Sequence, residues 1–248
     1  MKTRTTQEKN DHLCNLLDNN KKVYYGRFGD GDFYIMNGKC EKMHYWSQEL
    51  ADELFESFKV DDPLYVKGAM INYPLEPGMS HGLFAPMPTN KEMEGWLLNN
   101  QKVHPETIFH SHIMFHYISV FKQEMMIKFL DKYIRPKKKM FIGSVDKNKI
   151  ENLVGKIDYY VHVPERDAYY TIDEWWPDIL SNIDDVDLCL PAAGMAGRVI
   201  NKRLWNLNKE IHCIDLGSII DAAVDSETRT WIRMQGHQIK NLLINKDN

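Results

Sequence analysis

The sequence lacks any apolar run that approaches the roughly 18 residues of a membrane span. Its first ten residues are polar and contain no apolar segment of the kind found in signal peptides. It also lacks low-complexity tracts and internal repeats. We therefore expect a folded, cytoplasmic chain of 248 residues that forms a single domain, with no membrane span and no obligate protein partner.

Cysteine pairs and excess positive charge are missing as well. None of the four cysteines belongs to a C-x-x-C pair, so we expect reduced thiols and no structural zinc. The formal net charge of −4 argues against a large nonspecific surface for nucleic acid. The one basic cluster, residues 135–139 (RPKKK), is interpreted as a solvated loop before a strand, and it is the only hint of a nucleic-acid contact.

The most informative motif places two carboxylates on a glycine-rich backbone directly after a short apolar run. In an extended segment Asp30 and Asp32 would point to the same side, where both can bind one hard cation such as Mn²⁺ or Mg²⁺. Gly29 and Gly31 let a bulky anion approach the main chain, and Arg27 carries a charge suited to phosphate oxygens. On the motif alone, a plain turn explains these residues equally well.

A second candidate anion site follows an apolar run near residue 190. There small residues, of which Gly194 is the last, precede a helix predicted to begin at Met195, whose first N–H groups can bind an anion. Arg198 and Lys202 either assist a diphosphate or face solvent. A tight connection that requires small residues for packing is the alternative interpretation.

Strands and helices alternate along the chain, which predicts a Rossmann-like, mostly parallel α/β sheet with helices on both faces. Ligands in such sheets bind at the carboxyl ends of the strands, where Asp30, Gly194 and Asp215 fall. The proline- and glycine-rich residues 72–89 predict a long irregular loop of functional importance. Helices are predicted at 6–18, 47–58, 90–99, 106–133, 171–180 and 195–206, and strands at 22–28, 64–71, 139–143, 159–163, 186–190 and 211–215.

Four landmarks occur in a fixed order: residues 27–32 (RFGDGD), 163–169 (VPERDAY), 190–194 (LPAAG) and 214–218 (IDLGS). Together they resemble the GT-D-fold glycosyltransferases, a family known from bacterial adhesin glycosylation. The resemblance implies a Rossmann-like fold, a nucleotide-sugar donor (a UDP-sugar in particular) and a D-x-E metal motif. Here that motif ends in Asp32, one methylene shorter than glutamate. The predicted helical region at about 90–133 carries no landmark and is interpreted as a variable insertion.

The resemblance assigns roles to individual residues. It implies that Asp30 and Asp32 hold Mn or Mg, and that the donor contacts Arg27, Gly29, Gly31, Gly194, Met195, Arg198 and Asp215. An acceptor hydroxyl requires a general base, for which the candidates are Asp167, Asp173, Glu174 and the histidines near residue 112, His112 in particular.

The acceptor and two other functions stay open at this point. A glycan, a protein, a small molecule or a hydroxylated nucleic-acid base all offer a suitable hydroxyl group. One alternative is an S-adenosylmethionine-dependent methyltransferase built on residues 26–31, although the residues that follow do not predict the helix such a loop needs. The other is a nonenzymatic module that binds a sugar nucleotide and leaves it intact.

Overall fold

Seven short strands form one sheet in this computed structural model, in the spatial order β3-β2-β1-β7-β6-β4-β5. Every pairing between them is parallel over the residues that the structure describes. Those residues are 4–40, 45–71, 74–80, 83–100 and 109–244. The strands are β1 (Val23–Phe28), β2 (Tyr65–Ala69), β3 (His110–Ser111), β4 (Lys139–Gly143), β5 (Tyr159–His162), β6 (Leu188–Ala192) and β7 (His212–Ile214).

Helices connect the strands, and several begin at residues that cap them. Ser47 and Asp146 accept hydrogen bonds from the first turns of α3 and α7, while Thr5 and Glu8 form a capping box at the start of α1. None of the described helices is long and apolar enough to cross a membrane. The helices are α1 (Thr6–Asn19), α2 (Asp30–Met36), α3 (Gln48–Lys59), α4 (Pro88–Asn100), α5 (Met114–Phe121), α6 (Gln123–Phe129), α7 (Lys147–Val154), α8 (Ile172–Asn182), α9 (Ala196–Asn206), α10 (Ile219–Ala223) and α11 (Thr230–Gln235).

The sheet is covered by helices on both faces. Successive side chains of a strand point to opposite faces, and in β1 the residues Val23 and Tyr25 join one hydrophobic core while Tyr24 joins another. The first core is completed by α1, α5, α6, α7, α10 and α11, and the second by α3, α8 and α9. This arrangement confirms the predicted parallel α/β sheet.

Two secondary-structure predictions were wrong. The residues after Gly29, taken as an extended segment with no helix behind it, form α2. Asp32 makes that helix possible because its Oδ2 accepts the Gly29 N–H at 2.8 Å, and an acidic first turn suits the helix dipole. The helix predicted over 106–133 is interrupted: His110–Ser111 pairs with β2, and helical structure begins at Met114. Residues 106–108 lie outside the described residues.

Residues 135–138 of the basic cluster form a turn before β4, as predicted, but three of the cluster's charged side chains have partners within the protein. Arg135 forms an ion pair with Asp131 at 2.6 Å, and Lys138 forms one with Asp185 at 2.6 Å. Lys139 is buried, and its ammonium group donates to the carbonyl oxygens of Arg135 and Lys156. The cluster precedes β4 and therefore lies at the amino ends of the strands, the opposite edge of the sheet from the carboxyl ends.

Candidate active site

A cleft of about 550 Å³ opens at the carboxyl ends of three neighbouring strands, β1, β7 and β6. Ligands of open parallel sheets bind at this edge. Of the residues that the sequence predicts for the site, ten line this cleft: Arg27, Gly29, Asp30, Gly31, Asp32, His112, Gly194, Met195, Arg198 and Asp215.

Asp30 and Asp32 lie in the first turn of α2 and differ in their environments. Because residues two apart on a helix point about 200° apart, the two carboxylates do not share one side, which overturns the geometric reason for pairing them on one cation. Asp30 is exposed and accepts only the Gly31 N–H, at 3.0 Å, among the described residues. Asp32 is buried, 3% exposed, and caps its own helix.

Arg198 connects the ends of the three central strands. Its Nη2 lies 3.1 Å from Asp32 Oδ2, and its Nη1 lies 3.4 Å from Asp215 Oδ2. The same Nη1 donates to the carbonyl oxygen of Gly194 at 2.5 Å. The side chain is only 13% exposed. Arg198 therefore points into the cleft and not into solvent, whereas Lys202 is not among the residues that line the cleft.

Arg27 is held against the opposite side of Asp215. Its Nη1 lies 3.7 Å from Asp215 Oδ1, and its Nε donates to the carbonyl oxygen of His112. Burial lowers the pKa of Arg27 and the neighbouring Asp215 opposes that effect. The guanidinium still keeps its charge, because an arginine is protonated at any physiological pH. Two largely buried arginines thus share Asp215 at the base of the cleft.

The cleft histidines are neutral. Burial, and secondarily the Arg27 charge, lowers the pKa of His112 to about 3, and burial also holds the pKa of His116 well below its usual value. His116 stacks on the Trp231 ring with centroids 5.0 Å apart. His110 is not in the cleft lining: its Nε2 lies 2.9 Å from Nδ1 of His12.

The loop predicted at 72–89 borders the cleft through Phe84, Ala85 and Met87. Phe84 has a positive φ of 67°, which is unusual for a bulky residue and marks local strain of the kind found at functional sites. Its ring packs 5.7 Å from that of Trp231. The last two residues of the predicted loop belong to α4, and its residues 72, 73, 81 and 82 lie outside the described residues.

Three predicted acids do not line the cleft. Asp167 follows the edge strand β5 and its Oδ1 accepts the N–H of Tyr45 at 3.1 Å. Asp173 and Glu174 are exposed in the first turn of α8. In the sheet, β4 separates β5 from β6, so the structure does not bring these carboxylates to Asp215. Their role as the base remains a prediction.

Sequence reasoning missed the side of the cleft formed after β7. Asp221, Arg229 and Trp231 line it. Burial raises the pKa of Asp221, and Thr228 Oγ1 donates to its Oδ2 at 2.7 Å. The only available signal was position, because these residues closely follow the landmark at 214–218.

The cleft residues suit a divalent cation that shares its ligands with a phosphate. Within the described ranges, no group of three or more histidine, cysteine or acidic side chains forms a metal-binding cluster. Mg²⁺ in phosphoryl and nucleotide sites is nevertheless commonly bound by one or two carboxylates plus phosphate oxygens. Asp30, exposed at the cleft and without an ion pair to a described residue, fits that mode.

No family model matches the chain, and no curated protein matches it in sequence. Solved structures, in contrast, match the chain in fold. One, described as a new glycosyltransferase (domain of unknown function 1792) from Streptococcus sanguinis, has a TM-score of 0.64 and 16% identity over 94% of this chain and 85% of that one. Another, of the highly conserved domain of unknown function 1792, is described as having a distinct glycosyltransferase fold. It has a TM-score of 0.61 and 17% identity over 94% of this chain and 82% of that one. The chain therefore has the fold of these structures, which confirms the fold predicted from its four landmarks.

Proposed function

We propose that this protein is a metal-dependent glycosyltransferase that transfers a sugar from a nucleotide-sugar donor, a UDP-sugar in particular, to a hydroxyl acceptor. The observation that carries the proposal is the convergence of Arg27 and Arg198 on Asp215 in a cleft at the carboxyl ends of β1, β7 and β6. The shared fold supports the reaction class.

The charges of the cleft favour a diphosphate together with a cation. Three arginines (Arg27, Arg198, Arg229) and four aspartates line it among the residues that the structure describes. A diphosphate alone would add negative charge to a lining in which carboxylates already outnumber guanidinium groups. A divalent ion reverses that balance, because a bound cation is the largest local charge in such a site.

The buried arginines are preorganised for the leaving group. When the bond between sugar and diphosphate breaks, negative charge develops on the diphosphate oxygens, and fixed donors stabilise it without rearranging. Arg198 is restrained by three partners and Arg27 by two, so neither needs to reorder during the reaction. Gly194 and Met195, at the amino end of α9, place that helix terminus on the same cleft.

Asp30 is the carboxylate best placed to hold the cation, with Asp32 and Asp215 nearby in the same lining. When bound, Mn²⁺ or Mg²⁺ acts as a Lewis acid toward the diphosphate. Asp32 also fixes Arg198 and caps α2, so its contribution includes positioning.

The methyltransferase alternative has less support from the geometry. Gly26 lies inside β1, and a Cβ there would come 3.3 Å from the Asn201 side chain, so it serves packing. Two buried arginines suit a dianionic group better than a sulfonium cation. The acceptor is a glycan, a protein, a small molecule or a hydroxylated nucleic-acid base, and the paired basic cluster at 135–139 no longer favours the last of these.

The test is a panel of UDP-, GDP- and ADP-sugars incubated with the protein, with and without Mn²⁺ or Mg²⁺. We expect release of nucleoside diphosphate from one donor class only when metal is present, and a metal-dependent rise in melting temperature with the matching diphosphate. A donor that binds but stays intact with every acceptor would favour a binding module instead. Binding of S-adenosylmethionine without metal would favour a methyltransferase.

A further inference from the structure

Asp221 is a carboxylate that faces the cleft and has no role in holding the proposed diphosphate or cation. It lies in α10, and its Oδ2 accepts the Thr228 hydroxyl at 2.7 Å. Its second oxygen accepts no hydrogen bond from a described residue. One oxygen is therefore fixed and the other is available to a ligand in the cleft.

The other acidic groups of the cleft are already engaged. Asp32 and Asp215 form ion pairs with the two buried arginines, and Asp30 is the proposed ligand of the cation. Each of these three carboxylates is thus committed to another partner, observed or proposed. Among the described residues, Asp221 is the cleft carboxylate that is neither paired with an arginine nor assigned to the cation.

The cleft histidines are poor candidates for the group that accepts the proton of the acceptor hydroxyl. The Trp231 indole N–H can only donate, and it donates to Ser218 Oγ at 3.0 Å. The Ser218 hydroxyl also hydrogen-bonds Nε2 of His116 at 3.2 Å, so that ring nitrogen is already engaged. His112, with a pKa of about 3, is a weak base at neutral pH.

The surroundings of Asp221 strengthen it as a base. Burial raises its pKa, and Glu165 adds to that effect, while Thr228, Arg229 and Arg27 oppose it. The elements that contact α10 most extensively are α5, α7 and the 3₁₀ helix Gly236–Leu242. Their titratable side chains are His116, Tyr117, Lys147, Lys149, Glu151, His237 and Lys240.

We propose that Asp221 is the general base of the transfer, an inference that rests on the proposed function. The free oxygen of Asp221 takes the proton of the acceptor hydroxyl. At the same time, the acceptor oxygen bonds to the anomeric carbon of the donor sugar. The bond from that carbon to the diphosphate breaks, and its electron pair leaves with the nucleoside diphosphate. A single displacement of this kind inverts the anomeric configuration.

The test compares Asp221→Asn with Asp225→Asn. Asp225 is a matched control because it is exposed outside the cleft, where it pairs with Lys240. We expect Asp221→Asn to lower kcat/KM by about 10²- to 10⁴-fold while the Kd of the nucleoside diphosphate stays unchanged. The acid limb of the pH–rate profile should vanish with it. We expect the control variant to match the parent.

A second variant covers the case in which Asp221→Asn fails to fold. Thr228→Val removes the hydrogen bond that lowers the pKa of Asp221, so the acid limb should move to higher pH. NMR of the parent's product should show an inverted anomeric centre. Near-parental turnover by Asp221→Asn, a loss explained by weaker diphosphate binding, or a retained configuration would each overturn the proposal. A parent that turns over no sugar nucleotide would instead overturn the proposed function and this role with it.

Discussion

The guanidinium of Arg27 lies against the bare Cα of Gly217. Gly217 has φ +68°, and a Cβ there would overlap the Arg27 guanidinium and come 2.8 Å from His116 Nε2. The glycine therefore serves two purposes: it permits a left-handed backbone after β7, and it leaves space for a buried cation.

Gly217→Ala should displace Arg27 and weaken the binding of nucleoside diphosphate. Backbone strain alone costs roughly 1–2 kcal/mol at a left-handed position, so a control must carry the strain without the overlap. Gly38→Ala provides it, because Gly38 has φ +74° and no atom within 4 Å of a built Cβ. We expect Gly217→Ala to lose at least as much stability as Gly38→Ala in thermal unfolding, and only Gly217→Ala to lose affinity in calorimetry. If Gly217→Ala and Gly38→Ala bind nucleoside diphosphate with equal affinity, Arg27 does not contact the diphosphate.

Asp30→Asn and Asp32→Asn should each abolish turnover, but for partly different reasons. Asp30 is exposed, so its variant should keep the parental melting temperature. Asp32 is buried beside Arg198, so its variant should also lose about 1–3 kcal/mol of unfolding free energy. Turnover at saturating Mn²⁺ and thermal unfolding measure the two effects. Near-normal turnover by Asp30→Asn would remove that residue from the mechanism.

Arg198→Lys should reduce donor affinity much more than Arg203→Lys does. Both residues lie in α9, and Arg203 pairs with Glu53 at 2.5 Å outside the cleft. Lysine keeps the charge of Arg198 but not the planar fork that reaches Asp32, Asp215 and Gly194 together. Titration of the nucleoside diphosphate in the presence of Mn²⁺ distinguishes the two. If Arg198→Lys and Arg203→Lys bind the diphosphate equally well, Arg198 only holds the strand ends together and does not bind the donor.

The free energy of unfolding should fall as the pH drops below about 6.5. The pKa of His112 is 6.5 in the unfolded chain and about 3 in the folded one, so between these values the unfolded state binds the extra proton. One such group contributes a slope on the order of 1.4 kcal/mol per pH unit. Denaturant unfolding of the parent and of His112→Gln between pH 7 and 4 measures it. The variant should show a shallower slope; parallel curves would contradict the burial of a neutral His112.

The fold and much of the cleft followed from local patterns, whereas the rest of the site depended on distant contacts. Apolar periodicity located most strands, and strand ends located Asp30, Gly194 and Asp215. The helix at residue 30 was missed because its stabilising cap, Asp32 on the Gly29 N–H, was assigned to metal binding instead. Asp221 was missed because its importance arises from burial beside Thr228, which no spacing in the sequence indicates.

Residues 83–87, which carry Phe84, should be held more tightly when the donor binds. It borders the cleft, holds a strained φ at Phe84, and packs on Trp231 at the side of the cleft where we place Asp221. Closing segments of transferases exclude water that would otherwise hydrolyse the donor. Amide exchange in residues 83–87 should therefore slow on adding Mn²⁺ and the matching sugar nucleotide, while exchange in α8, on the far side of β4, stays constant. Phe84→Gly should relieve the strain and raise donor hydrolysis relative to transfer. If exchange and the ratio of hydrolysis to transfer are both unaffected, the segment is a passive rim and the acceptor is enclosed by other parts of the chain.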